Sequence, residues 1–127
     1  MKIAALVGRL LLGLTFTVFG ANGIHQFIPN PGLPPGLAGQ FAGAMIASHY
    51  MTVVAALQLI SGLLLLTNRF TVLGLTILGA ILVNILLFHI LLLPMGISVG
   101  IFATVLWAIV AWHNRKHFTS LFVQRGE

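Results

Sequence analysis

The sequence contains no cysteine and very little charge. Only 6% of its residues are charged, and Glu127 is the single acidic residue against six Lys and Arg. The missing cysteines exclude disulfides, dithiol redox chemistry and thiolate metal sites. The shortage of charge excludes a water-soluble globule, because such a fold needs a polar surface. Nucleic-acid binding is not indicated either, since the cations lie at the ends of apolar runs rather than in one basic face.

Apolar residues make up 59% of the 127 residues. They form four runs long enough to cross a bilayer, which takes about 20 residues each. The first run continues through Asn22 and His25 into an aromatic stretch, so we expect an uncleaved helix rather than a signal peptide. We predict an all-α membrane protein, a four-transmembrane-helix bundle that forms a single domain, 1–127. The predicted helices cover about residues 3–23, 49–67, 70–93 and 96–113, with an outer loop at 24–48 and a tail at 114–127.

The distribution of Lys and Arg predicts the orientation. With four crossings, all six fall on one side of the membrane, and positively charged segments stay in the cytoplasm. We therefore expect a multi-pass protein of the bacterial inner (plasma) membrane with both termini cytoplasmic. Arg9, inside the first helix, is expected to extend its guanidinium to the headgroups; the alternative is a buried functional arginine. The basic tail is expected to lie against anionic lipid.

The predicted outer loop is apolar although it is not a span. It holds four of the five prolines and no Lys, Arg, Asp or Glu. Pro34 and Pro35 suit the first turn of a helix, so residues 36–47, with GxxxG at Gly39 and Gly43, are expected to form a short interfacial or re-entrant helix. We expect this segment to cover the outer mouth of the bundle. The alternative is an apolar connector that merely rests on the bilayer.

Neutral polar residues are the candidate functional groups, because each costs free energy inside a membrane unless it is hydrogen-bonded. The predicted topology places His25 and His89 near the outer surface and Gln58 and Asn84 about 10 to 15 Å below it. The candidates therefore favour the outer half of the bundle, although convergence on one pocket is not guaranteed. The ligand-binding candidates are Asn22, His25, Gln58, Asn84 and His89.

Two interpretations of these five residues stay open. In the first, Asn and Gln bridge helices by hydrogen bonds, and the histidines anchor the interface or bond to the backbone. In the second, the residues form a site in which imidazoles ligate haem or donate a hydrogen bond to a quinone carbonyl. The residues alone do not identify a cofactor. No HxxxH, ExxH or CxxC pair occurs among these candidates, so we predict no metal site.

Three segments together resemble one protein family. They are RLLLGLTFTVFGANGIHQFIP from Arg9, QLISGLLLLTNRF from Gln58 and VNILLFHI from Val83. Over about residues 9–122 the sequence is similar to the DoxX-type small integral membrane proteins. The resemblance implies a four-helix membrane bundle, with some relatives tied to thiosulfate:quinone oxidoreductase or to oxidative-stress complexes. Many members carry a glutamate near the position of Gln58; glutamine does not ionise, which argues against a proton-handling role there.

Three functions are consistent with these features. The first is a membrane subunit or accessory of a quinone-linked or oxidative-stress redox system, holding a quinone or haem in the outer half of the bundle. The second is a non-catalytic membrane scaffold or small-ligand-binding bundle. A small transporter is third, because four short helices leave little room for a gated pathway. The expected partners are the lipid bilayer and either a membrane redox protein or further copies of the chain; whether the chain is an enzyme stays open.

Overall fold

Helices account for most of the computed structural model, which describes residues 2–29 and 32–126. No strand occurs in those two stretches. A 3-10 helix, which we call the tail helix, follows the last α-helix. The elements in chain order are α1 (Lys2–Ile24), α2 (Gly36–Ala47), α3 (Tyr50–Thr67), α4 (Thr71–Leu91), α5 (Ile97–His113) and the tail helix (Arg115–Phe122). The all-helical fold predicted from the apolar runs is therefore confirmed.

Several of these helices are suited to a bilayer. α1, α3 and α4 are each long and apolar enough to cross a membrane. α5 is equally apolar but has 17 residues, and the chain bends by 85° between α5 and the tail helix. Seventeen residues span only about 25 Å at 1.5 Å each, slightly less than a typical hydrocarbon core. Three helices that are long and apolar enough to cross are compatible with the predicted multi-pass membrane protein, whereas crossing by α5, the fourth predicted span, stays a prediction.

The helix ends differ from the predicted ends by at most two residues, for local reasons. α3 begins at Tyr50 because the backbone of His49 is left-handed, with φ 63°. α5 begins at Ile97 because Gly96 has φ 88°. α4 ends at Leu91 rather than at residue 93, since Pro94 disfavours the helical conformation of the residue before it.

The four long helices form an antiparallel ring in the order α1, α3, α4, α5. α1 packs most extensively on α3, and α5 closes the ring between α1 and α4. The Trp107 indole N–H donates to the Leu75 carbonyl at 2.8 Å and so joins α5 to α4. We call the end with Ile24, Tyr50, Leu91 and Ile97 the neutral end. The opposite end is the basic end, where Lys2, Arg9, Arg69 and Arg115 lie.

The α1–α3 interface is built on small residues. A Cβ on Gly20 would overlap the Leu59 backbone and lie 2.8 Å from the Ala55 carbonyl oxygen. A Cβ on Gly62 would lie 2.5 Å from the backbone nitrogen of Thr17. Small residues allow two helix backbones to approach this closely and gain van der Waals contact that lipid does not offer. The first and third helices of the chain are therefore the most tightly joined pair.

α2 covers the residues predicted for the short outer helix and lies at the neutral end. It packs on α3, and the Phe41 ring lies 5.7 Å from the Phe88 ring of α4. The GxxxG motif packs against the loop that precedes it rather than against another helix. The Pro34 carbonyl occupies the place of a Cβ on Gly39, and a Leu33 methyl carbon lies 3.3 Å from that of Gly43. The position of α2 relative to a bilayer stays a prediction.

Candidate functional site

Among the described residues, two polar side chains are buried in the core, and both belong to α3. Gln58 is 7% exposed and Ser61 is fully buried. They lie three residues apart on one helix face, about 12 and 16 Å from the neutral end at 1.5 Å per residue. Ser61 faces α4, since its carbonyl oxygen lies 3.3 Å from the position of a Cβ on Gly74. Fully buried Leu65 continues the same face one turn further along.

The polar atoms of this pair lack partners. The buried Ser61 hydroxyl makes no hydrogen bond in the described chain. The Gln58 amide has no hydrogen bond there either, but its side chain is not fully buried. Burial of a hydroxyl without a hydrogen bond costs about 1 to 3 kcal/mol, so a small hydrogen-bonding molecule beside the pair would relieve a cost at Ser61.

Asn22 holds the start of the first loop. Its side-chain oxygen accepts hydrogen bonds from the backbone N–H groups of Phe27 at 3.0 Å and Ile28 at 2.9 Å. These bonds direct the chain away from α1 just beyond its last turn. His25 follows α1 and is exposed, and its backbone N–H donates to the Ala21 carbonyl. The Asn22 side chain is therefore already hydrogen-bonded to the loop, and His25 lies outside the core.

His89 fastens the hairpin between α4 and α5. Its Nδ1 lies 2.9 Å from the Leu93 carbonyl oxygen, a hydrogen bond in which Nδ1 donates. The ring packs edge-on against Phe88, and its Cε1 lies 3.3 Å from the position of a Cβ on Gly96. The Leu93 carbonyl precedes Pro94, which has no N–H, so the imidazole supplies a donor at a turn that is short of donors.

Asn84 points away from the bundle. It is exposed on the outer side of α4, and its Nδ2 donates to the Ala80 carbonyl of the same helix at 2.9 Å. Asn84 therefore does not bridge two helices of this chain. It lies about 10 Å from the neutral end at 1.5 Å per residue, a depth at which a single copy would expose its amide to hydrocarbon.

The five candidates thus serve separate tasks. Gln58 is in the core, Asn22 and His89 form local backbone hydrogen bonds at two turns, His25 is exposed, and Asn84 faces outward. No cluster of three His, Cys, Asp or Glu side chains occurs within residues 2–29 and 32–126. Ser61 completes the buried pair but is not among the candidates from the sequence. Its position three residues after Gln58 in an apolar helix was the available signal.

At the basic end, Arg9 contacts the last turn of α3. Its Nη1 donates to the Leu65 carbonyl and lies 3.5 Å from the Leu66 carbonyl. These carbonyls carry the partial negative charge of a helix C-terminus, which favours a cation. The guanidinium therefore joins α1 to α3 besides lying near the basic end, where the sequence predicted it to reach the headgroups.

Comparisons of the chain with family models, with curated proteins and with solved structures found no match.

Proposed function

We propose that the chain is an accessory subunit of a membrane redox system and joins a partner through the outer face of α4. The observation that carries the proposal is the outward position of Asn84. Its amide lies within the apolar span and keeps its oxygen and one N–H without a partner in the described chain. Hydrocarbon offers no hydrogen bond, so polar groups within spans normally face another helix.

Asn84 differs from the other polar side chain on the same face. The Thr76 hydroxyl donates to the Val72 carbonyl at 2.8 Å and is thereby satisfied within its own helix. Ala80 lies between Thr76 and Asn84, and all three are exposed. A small residue next to an amide is the pattern through which membrane helices approach closely and hydrogen-bond. The expected occupant of this face is a transmembrane helix of another subunit.

The redox part of the proposal rests on the resemblance to DoxX-type proteins. The segments from Arg9, Gln58 and Val83 carry that resemblance, and some members of the family belong to quinone-linked or oxidative-stress complexes. A chain without cysteine supplies no dithiol of its own. The proposed role is therefore to hold or position a redox partner in the membrane.

Site-specific photocrosslinking in the cells that make the protein tests this assignment. Benzoylphenylalanine at Ala80 should form an adduct with a subunit of a membrane oxidoreductase, identified by mass spectrometry. The same probe at Ile60 is the matched control, because Ile60 is 51% exposed on α3 at a similar depth. Ile60 should give only lipid adducts, and Asn84→Leu should reduce the Ala80 adduct about fivefold or more, since an interhelical hydrogen bond contributes about 1 kcal/mol.

Three other outcomes of this experiment would each contradict part of the proposal. Adducts between two copies of the chain would replace the redox partner with a homo-oligomer. Equal protein adducts from Ala80 and Ile60 would exclude a specific α4 interface. Lipid adducts alone at Ala80 would reject the accessory-subunit proposal and leave a monomeric scaffold.

A second candidate function, binding of a quinone headgroup, is favoured by the buried Gln58–Ser61 pair. The Gln58 amide and the Ser61 hydroxyl would donate to the quinone carbonyls, and apolar side chains of the core would surround the ring. Haem has less support than a quinone, because the buried pair offers an amide and a hydroxyl rather than an imidazole that could ligate iron. Proton transfer by Gln58 is not part of the proposal, since an amide does not titrate.

Titration of a soluble quinone analogue tests the second candidate. Gln58→Ala should weaken binding roughly five- to 150-fold, the loss expected for about 1 to 3 kcal/mol on removal of a buried donor. His113→Ala, at the basic end, is the control and should leave the affinity unchanged. If the quinone binds in a site formed by the five candidate residues, His89→Ala should also weaken binding. If it binds only at the Gln58–Ser61 pair, His89→Ala should leave the affinity unchanged. Failure of the wild-type protein to bind the analogue would reject quinone binding.

A further inference from the structure

Polar and cationic side chains line an open cavity at the basic end of the bundle. The cavity has a volume of about 400 Å³ and lies between the first turns of α1 and the last residues of α3 and α5. Its polar lining consists of Lys2, Arg9, Asn68, His113 and Asn114. These five residues come from three parts of the sequence, the start of α1 and the ends of α3 and α5, brought together by the antiparallel packing of three helices.

Several N–H groups in the cavity are free to donate a hydrogen bond to a ligand. Arg9 uses Nη1 for the carbonyls of α3, which fixes the guanidinium and leaves Nε and Nη2 without a hydrogen bond in the described chain. The Asn68 side chain accepts from the Thr71 hydroxyl through its oxygen at 2.8 Å, so its amide N–H groups are free. A fixed arginine beside free amide donors suits a group with several acceptor oxygens.

Within residues 2–29 and 32–126 the cations of the cavity have no acidic partner. The sequence has one acidic residue, Glu127, and it lies outside the described residues. Lys2 and Arg9 contribute two positive charges, and the N-terminus of α1 adds roughly half a charge. The C-termini of α3 and α5 offset roughly one charge, so a net positive charge of about 1.5 is left at the cavity. This charge is enough to favour an anion.

The surroundings indicate which kind of anion fits. Ile3 and Leu6, which also line the cavity, are 77% and 48% exposed. They form an apolar strip along α1 next to the cations. Phosphate combines negative charge with oxygen acceptors that match guanidinium and amide donors. We propose that this cavity binds a phosphate group, either as the headgroup of an anionic lipid, whose acyl chain follows the strip, or as a soluble phosphate.

The phosphate cavity is distinct from the outer face of α4 and from the Gln58–Ser61 pair, both of which lie along the middle of the helices. Binding of a phosphate in this cavity also differs from diffuse electrostatic attraction between the basic tail and a charged membrane. Arg115 in the tail helix stacks 4.6 Å from the Trp112 ring and donates to the Trp112 carbonyl at 2.9 Å. Lys116 is exposed at the same end but does not line the cavity. It therefore provides a matched control.

Native mass spectrometry of the full chain in detergent tests the proposal. The wild-type protein should bind phosphatidylglycerol in preference to phosphatidylcholine. Lys2→Gln should weaken phosphatidylglycerol binding about tenfold, the loss expected for a charge-assisted hydrogen bond. Lys116→Gln, which removes the same charge outside the cavity, should change it by no more than about twofold. Arg9→Gln provides a second variant and should weaken binding at least as much as Lys2→Gln.

Competition distinguishes the two sources of phosphate. Inorganic phosphate that displaces the lipid, at an ionic strength matched with chloride, identifies a site open to soluble phosphates. Lipid that stays bound under those conditions identifies a headgroup site that also needs the acyl chain. No preference for phosphatidylglycerol, or equal losses in Lys2→Gln and Lys116→Gln, would overturn the proposal in favour of unspecific surface attraction. Because Lys2 is exposed at the start of α1, its replacement tests binding even if Arg9→Gln does not fold.

Discussion

At the scale of single residues, the polar side chains divide into those with local partners and those without. Asn22 and His89 form hydrogen bonds at turns, whereas the buried Ser61 hydroxyl and the nearly buried Gln58 amide have no hydrogen bond within the described chain. A buried group without a partner lowers the stability of the empty bundle. The presence of such a group is explained if it serves to bind a ligand rather than to stabilise the fold. This reasoning gives a stability test that does not require the ligand.

Gln58→Met should raise the thermal stability of the detergent-solubilised protein. Methionine has nearly the volume of glutamine and removes a buried amide without a hydrogen bond, which corresponds to a gain of about 1 kcal/mol or more. Leu65→Met, in the same core, is the control and should lower stability by less than about 1.5 kcal/mol. The measurement is a thermal unfolding curve of each variant. A larger loss for Gln58→Met than for the control would mean that the amide makes a stabilising contact in solution.

Asn22→Ala should loosen the beginning of the first loop. The variant removes the acceptor for the backbone N–H groups of Phe27 and Ile28, at a cost of about 1 kcal/mol for hydrogen bonds at a partly exposed site. Hydrogen exchange at Phe27 and Ile28 should therefore become faster, while exchange within α4 stays unchanged. Gln26→Ala is the control, because the Gln26 side chain makes only a long contact of 3.4 Å to the Ile28 carbonyl. Unchanged exchange in Asn22→Ala would contradict this role.

The sequence identified the polar residues but not their partners. The lengths and order of the apolar runs were enough to predict that Gln58 lies well inside its helix, because that position depends only on spacing along the chain. The outward position of Asn84 depends on how α4 is rotated in the bundle. That rotation is set by the packing of Leu75, Leu78 and Leu82, and an apolar run that is hydrophobic on all sides does not reveal it.

At the scale of helices, the bundle depends on the close approach of α1 and α3. Apolar runs were enough to predict both helices, and their ends are within one or two residues of the structure. The interface itself was not predicted, because glycines are frequent throughout the chain, which has 14 of them. Only the contacts distinguish Gly20, whose missing Cβ leaves room for the backbone of α3, from Gly8, which faces a side chain of α5.

Gly20→Ala should destabilise the protein, whereas Gly8→Ala should be neutral or slightly stabilising. The new methyl at residue 20 would overlap the backbone of Leu59, and such overpacking costs about 1 to 3 kcal/mol or more. At residue 8 the nearest atom is a Val110 methyl carbon at 3.2 Å, a side-chain contact that must shift by a few tenths of an ångström, and alanine offsets this cost because it favours a helix over glycine by up to about 1 kcal/mol. Thermal unfolding of both variants in the same detergent is the measurement. Equal effects would show that the α1–α3 contact is looser than in the structure.

At the scale of the whole molecule, charge is segregated to one end of the helix ring. The antiparallel order brings the N-terminus of α1, the α3–α4 turn and the end of α5 together, and these segments carry the Lys and Arg residues. The asymmetry was predictable from the sequence because it depends only on the number of crossings. The phosphate cavity was not predictable, since it requires Lys2 and Asn114, from opposite ends of the chain, to line the same space.

Single-cysteine labelling should establish that α5 crosses the membrane and that the basic end is cytoplasmic. The chain has no native cysteine, so each introduced thiol reports without background. Leu37→Cys and Met95→Cys, exposed at the neutral end, should react with an impermeant maleimide added to intact cells. Phe70→Cys and Ser120→Cys should react only after the membrane is permeabilised, because positively charged segments stay inside. If Ser120→Cys reacts together with Met95→Cys, α5 does not cross; if all four reactions are reversed, the orientation is opposite to the one predicted by the charges.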